Sequence, residues 1–155
     1  MNPATIRLVL LVSCAHAMVH VYELSLPSIE QEITAEYGGG KQLSGIMGTC
    51  WRLPWGLGAL AAGWLVDRFG GRPLLIIFLF GCSAMCILAA LVKPLPLLFV
   101  SMFGMGTLAS IYHPSGLALI SHATKADSLP RVLGIHGVFG SAGIGAELLL
   151  RLRSF

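Results

Sequence analysis

The chain has 155 residues, of which 55% are hydrophobic and only 11% charged, and its mean hydropathy is +0.81. Soluble domains carry about 25% charged residues, so this composition excludes an ordinary water-soluble fold and points to an all-α, polytopic membrane protein. The net charge of +3 is too small to draw the chain to nucleic acid, and no nucleic-acid partner is expected.

A helix crosses the bilayer core with roughly 17–25 apolar residues. Five stretches meet that need, at Thr5–Leu24, Leu43–Val66, Pro73–Val92, Leu95–Ser121 and Val132–Leu150, so residues 1–155 read as one transmembrane domain. Glu23, Glu30, Glu32 and Glu36 fall between the first and second spans, whereas Arg7, Arg68, Arg72, Lys125 and Arg131 flank the N-terminus and the second and fourth connections. The positive-inside rule then puts the N-terminus in the cytoplasm, and the expected location is the cell's inner (plasma) membrane. The tail residues Arg151 and Arg153 break that rule.

In the first span the run His16-Ala-Met-Val-His20-Val-Tyr-Glu23 places His16, His20 and Glu23 within one narrow arc of a helix face. A metal site, a proton relay and the wet wall of a cavity all fit this spacing. A metal site lacks a convincing third ligand in the sequence, and His16 is expected to be a packing residue. Pro27 is expected to close the span. The apolar run continues past Leu11-Val12-Ser13-Cys14, which argues against a cleaved leader.

The second span carries Arg52 near its middle, with Pro54 close by. A buried Arg can bond backbone carbonyls for structure alone, or it can serve as a cavity cation facing an anionic substrate or a proton-carrying acid. The third span has no ionisable residue, which suits a helix facing lipid. Cys82 and Cys86 on it, like Cys14 and Cys50, read as small packing residues.

The fourth span contains Ser110-Ile-Tyr112-His113-Pro114, where the proline loosens a turn beside a titratable imidazole. The fifth contains His136 and Glu147 and the series Gly134, Gly137, Gly140, Gly143 and Gly145. Small residues at such spacing let membrane helices approach closely; Gly137, Gly140 and Gly143, with Pro54 and Pro114, are the expected packing and bending positions. Because an intramembrane charge costs at least about 2.5–3.5 kcal/mol on insertion scales, the polar groups of the first, second, fourth and fifth spans should face a shared cavity.

Between the second and third spans the chain reads Gly63-Trp-Leu65-Val-Asp67-Arg68-Phe-Gly70-Gly-Arg72. This resembles the G-x-L-x-D-[RK]-x-G-x-[RK] loop of the major facilitator superfamily of secondary transporters at every position. A finer resemblance, to the fosmidomycin-resistance-like branch, is carried by His20-Val-Tyr-Glu23-Leu-Ser-Leu-Pro27, Ile111-Tyr-His113-Pro114-Ser-Gly116 and Leu133-Gly-Ile-His136-Gly-Val-Phe-Gly140-Ser-Ala-Gly143.

The resemblance implies two six-helix halves with substrate held near the midplane and exposed alternately to each side. It implies a gating role for Gly63, Leu65, Asp67, Arg68, Gly70 and Arg72, in which Asp67 joins a cytoplasmic charge network and Gly70 allows the tight turn. It implies further that His20, Glu23, Arg52, Tyr112, His113 and His136 handle substrate or protons in an efflux antiporter. The expected partners are a small-molecule substrate, protons, the lipid bilayer and a complementary transporter half. No catalytic residue, cofactor or metal is expected, and the alternative from another class is a membrane scaffold without transport.

The superfamily has twelve helices, and here Glu147 and a basic tail stand where related chains usually have a proline after the fifth-helix glycines. The expectation is a truncated or frameshifted reading frame that is inactive alone. Reading the locus past codon 155 in all frames should then reveal the remaining spans; an unrelated downstream region would count against it.

Overall fold

A computed structural model describes residues 1–152 and is helical from end to end, with six α-helices and one short 3-10 turn. Helix α1 spans Pro3–Glu36, α2 Lys41–Phe69, α3 Gly71–Leu91, α4 Leu95–Ala109, α5 Tyr112–Ala123 and α6 Leu129–Leu152. Arg153, and the side chains of Glu147 and Arg151, lie outside the described residues.

Helices α4 and α5 are two pieces of one span, so the five expected spans appear as five rods. Three of these are long and apolar enough to cross a membrane on length and composition alone: α1, α3 and the composite Leu95–Ala123. The other two, α2 and α6, have the length, at 29 and 24 residues. Arg52 with the charged ends of α2, and His136 with the glycines of α6, dilute their hydropathy.

The start of α1 is well specified. Pro3 stands in the first turn, and the Asn2 side chain accepts the Thr5 amide at 2.8 Å, an N-cap that satisfies one of the free first-turn donors. Pro27 does not close this helix, contrary to the expectation from sequence. The helix continues to Glu36, and serine hydroxyls cover carbonyls of the loosened turn: Ser25 donates to Tyr22 O at 2.9 Å and Ser28 to Leu24 O at 2.8 Å. Its 34 residues make a rod of roughly 50 Å, well beyond a hydrocarbon core of about 30 Å. The acidic end from Glu30 onward therefore projects past the span.

The fourth span breaks where the sequence suggested a weak turn. Ser110 and Ile111 form a turn between α4 and α5, and Pro114 stands in the first turn of α5. The break leaves few polar groups unserved: the Ser110 amide donates to Gly106 O at 3.1 Å, the Ser110 hydroxyl to Thr107 O at 2.6 Å, and the Ser115 amide to Ile111 O at 3.3 Å. Internal satisfaction of this kind is what a hydrocarbon environment demands. At Pro54, by contrast, α2 runs on unbroken.

A core of Tyr22, Trp51, Phe78, Met102, Met105 and Tyr112 lies where α1 to α5 converge. Helix α3 contributes only the stripe Gly71, Leu74, Phe78 and Cys82 and leaves most of its surface outward, which agrees with its reading as the helix furthest from the cavity. Of the four cysteines read as packing residues, Cys82 is fully buried and Cys50 and Cys86 are half-buried, whereas Cys14 is exposed.

Helix α6 packs along α1. A Cβ on Gly143 would strike the Ala17 backbone, and one on Gly140 would strike the His16 ring. Gly137, expected to share this contact, faces open space instead, because it lies off the arc that Gly140 and Gly143 present to α1. Substituting Gly143→Leu should therefore prise α6 from α1 and lower stability in detergent by about 1–3 kcal/mol, the usual cost of overpacking, while Gly137→Leu should change it little. Thermal unfolding of the two purified variants would check the contrast.

Candidate functional site

Helix α1 carries Ser13, His16, His20 and Glu23 at intervals of three, four and three, which is the repeat that keeps side chains on one face. Two neighbours close over that face. Helix α5 brings Tyr112 and His113 from its first turn, and α6 brings His136.

The Tyr112 ring is fully buried, and its hydroxyl donates to the Val12 carbonyl at 2.8 Å. That bond fastens α5 to α1 across the interior. Expected to handle substrate or protons, Tyr112 instead commits its hydroxyl to the backbone and offers the cluster its ring face, 5.5 Å from His16 centroid to centroid.

His16 is the hub of the cluster, although the sequence reading made it a packing residue. Its ring stacks on His136 at 4.1 Å and meets His113 edge-on at 5.4 Å. Its Nδ1 donates to the His136 carbonyl at 2.8 Å, and its Nε2 lies 3.2 Å from Nε2 of His20. His20 in turn donates from Nδ1 to Glu23 Oε2 at 2.7 Å. At the buried end the Ser13 hydroxyl sits 3.4 Å from His136 Nδ1. A polar chain thus runs from Ser13 to Glu23 along about 15 Å of α1.

The hydrogen positions follow from the partners. A carbonyl only accepts, so His16 Nδ1 carries hydrogen; a carboxylate only accepts, so His20 Nδ1 does too. In the neutral rings both remaining Nε2 atoms then present lone pairs, and these are the two atoms 3.2 Å apart. Two lone pairs repel at that distance, so the contact becomes a hydrogen bond when one of the two rings carries a second hydrogen.

Glu23 and His20 are half-buried, with 30% and 17% of their side-chain surface exposed, which leaves the Glu23 end open to one side. His113 also stacks 6.5 Å from Trp55 of α2. The structure therefore brings His20, Glu23, Tyr112, His113 and His136 together, as the sequence anticipated, and adds His16, Ser13 and Trp55. The signal for His16 was its place in the same arc as His20 and Glu23; the glycine opposite it, Gly140, leaves the space its ring occupies.

Arg52 stands apart from this cluster. It is exposed on a cleft of about 430 Å³ shared with Glu30, Ser44, Gly48 and Thr49, and Ser44 hydrogen-bonds Glu30 there. The acid in the cleft, Glu30, lies outside the predicted spans, so the sequence reading did not place it beside Arg52.

The loop motif occupies the last two turns of α2, Gly70, and the first residues of α3. Gly70 alone joins the helices, at φ +81° and ψ 157°, a region that glycine alone occupies readily. Asp67 lines a cleft of about 340 Å³ with Gly70, Leu119 and His122. Among the described residues neither Arg68 nor Arg72 pairs with Asp67, so the expected charge network is not closed. Arg68 lies over Trp64 and Phe69 instead, 5.5 and 5.6 Å from their ring centroids. Gly63 meets open space and Leu65 is half-buried.

The model of the Major Facilitator Superfamily matches residues 9–149. The chain belongs to that superfamily. Neither the curated proteins nor the solved structures gave a match. Membership makes the protein a transporter of the multi-pass membrane class, and it explains why the motif between α2 and α3 matches the superfamily pattern at each position.

The strap between α5 and α1 yields a direct test. Tyr112→Phe should cost about 1 kcal/mol, the net value of one hydrogen bond, with the fold retained, and should speed amide exchange in the first turn of α5. Unchanged exchange there would mean that the hydroxyl does not hold the two helices.

Proposed function

We propose that this superfamily member is the N-terminal part of a proton-coupled antiporter of the fosmidomycin-resistance-like branch. It works by alternating access to expel a small, anionic drug or metabolite from the cell, sits in the plasma membrane and has its N-terminus in the cytoplasm.

The polar chain from Ser13 to Glu23 carries this reading. It lies within spanning helices, links α1 to α6, and ends on a carboxylate open to one side. Ionisable groups inside a membrane are costly and commonly mark substrate, ion and proton paths. Imidazoles and a carboxylate in hydrogen-bonded series can take up, pass and release a proton, and the facing nitrogens of His16 and His20 give it a resting place.

The cleft of Arg52 suits an anionic group on the substrate, since Arg52 has no ion-pair partner among the described residues and a guanidinium matches carboxylate and phosphate in two-point contact. The orientation follows from the charges. The ends bearing Arg7, Arg68, Arg72, Lys125 and Arg131 fall on one side of the alternating rods, where the α1 and α6 starts meet and α2 turns into α3 beside the end of α5, and basic connections stay in the cytoplasm.

Alternating access needs an opposing wall. Residues 1–155 alone are proposed to be inactive in liposomes, a complementary six-helix half supplying the other side. Co-expressed with such a half, the chain should lower cellular accumulation of an anionic drug in a manner abolished by collapsing the proton gradient. Glu23→Gln should reduce export at least about tenfold at equal membrane expression, and Arg52→Gln should raise KM for anionic substrates. Export that is indifferent to the gradient and to both substitutions, with partner helices still bound, would favour the scaffold instead. Uptake by the chain alone above empty liposomes would overturn the inactivity.

A further inference from the structure

We propose that the imidazoles of His16, His20 and His113 form a binding site for a divalent transition-metal ion of the zinc class. Their ligand nitrogens all lie within 4.8 Å of one another. The third ligand that the sequence did not supply arrives from another helix: His113 comes from the first turn of α5, and His16 and His20 from α1.

The geometry of the His16 and His20 pair is that of two ligands rather than of a packed ring pair. Zinc bonds imidazole nitrogen at about 2.0–2.1 Å in a tetrahedral site, which sets neighbouring ligand nitrogens roughly 3.3 Å apart. The two Nε2 atoms stand 3.2 Å apart. Both are the nitrogens left with lone pairs, because each Nδ1 already donates, to the His136 carbonyl and to Glu23. Metal-bound histidines take those same partners, a backbone carbonyl or a carboxylate on the second ring nitrogen, which fix the tautomer and raise the basicity of the ligand atom.

The donor set also chooses the metal. Three neutral imidazoles suit zinc, nickel and copper, whereas magnesium and calcium want several oxygen ligands. Glu23, through His20, brings a negative charge that offsets the ion's burial, and no Lys or Arg lies within hydrogen-bond or ion-pair reach of the cluster among the described residues. Three ligands leave a fourth position for water or an anionic group. The inference goes beyond the transport reading and does not require it: ion and proton would compete for the same two nitrogens.

Purified full chain in detergent, stripped with chelator, should bind a single equivalent of Zn²⁺ by titration calorimetry at micromolar concentration or below, and should not take up Mg²⁺ there. Co²⁺ in the same site should give the visible absorption of a tetrahedral nitrogen-ligated ion, without thiolate charge transfer. His16→Ala, His20→Ala and His113→Ala should each weaken binding by at least about tenfold, while His122→Ala leaves it unchanged. Helicity and elution profile verify folding for each variant; if His16→Ala fails to fold, His113→Asn decides. A flat Zn²⁺ isotherm would overturn the site, as would binding that survives the histidine substitutions or is lost on Cys82→Ser or Cys86→Ser. Neither result bears on export by the chain with its complementary half, so failure of this site is distinct from failure of the transport reading.

Discussion

The bond from His16 Nδ1 to the His136 carbonyl, at 2.8 Å, is the constraint on which the rest of the site depends. It requires α6 to lie close enough to α1 for a ring to reach across, and this in turn requires Gly140 and Gly143 to present no side chains. Once the bond is made, the tautomer of His16 is set, its other nitrogen faces His20, and the order of the whole polar chain follows. A lipid-embedded interface gains little from hydrophobic association, so close backbone packing and a few buried polar bonds must supply what holds the two helices together.

The same constraint explains why so polar a cluster is tolerable. His136 is almost wholly buried, yet it is stacked on one ring and close to the Ser13 hydroxyl, and its own carbonyl is used by His16. Tyr112 solves the matching problem on the α5 side by placing its one polar atom on the Val12 carbonyl. Each bond removes an unsatisfied group from an environment that makes such groups expensive, and together they turn three separate helices into one wall. The wall is polar toward Glu23 and oily toward Phe78 and Met102.

Much of this was legible in the amino-acid sequence. The length of the apolar stretches indicated five rods, though not the ends of α1 or the break in the fourth, and the polarity of individual spans set the outlying α3 apart, whose buried residues form a single stripe. What escaped were features set by contacts between helices. Pro27 looked like a terminus because proline removes an amide, and the helix survives it with serine hydroxyls bonded to carbonyls of that turn. His16 looked like packing because nothing in its own segment shows the carbonyl of residue 136 beside it. Gly137 looked like part of a contact because spacing alone does not say which of several glycines meets a neighbour. Of the polar residues named from the sequence, His20, Glu23, Tyr112, His113 and His136 lie together and Arg52 lies apart, while His16, at the centre, was not among them.

The break at Ser110 and Ile111 has one more consequence. On one side of it, α4 is seated against α2, where Gly106 lies under the Trp51 backbone. On the other, α5 is seated against α1 through Tyr112. The two pieces are consecutive in the chain but lean on different partners, α4 on α2 and α5 on α1, while α3 packs against both, and a two-residue turn joins them. Continuity along the polypeptide and continuity of packing therefore differ inside a single membrane crossing: a displacement of α2 reaches His113 through that turn, through Trp55 or by way of α3, rather than along one stiff rod.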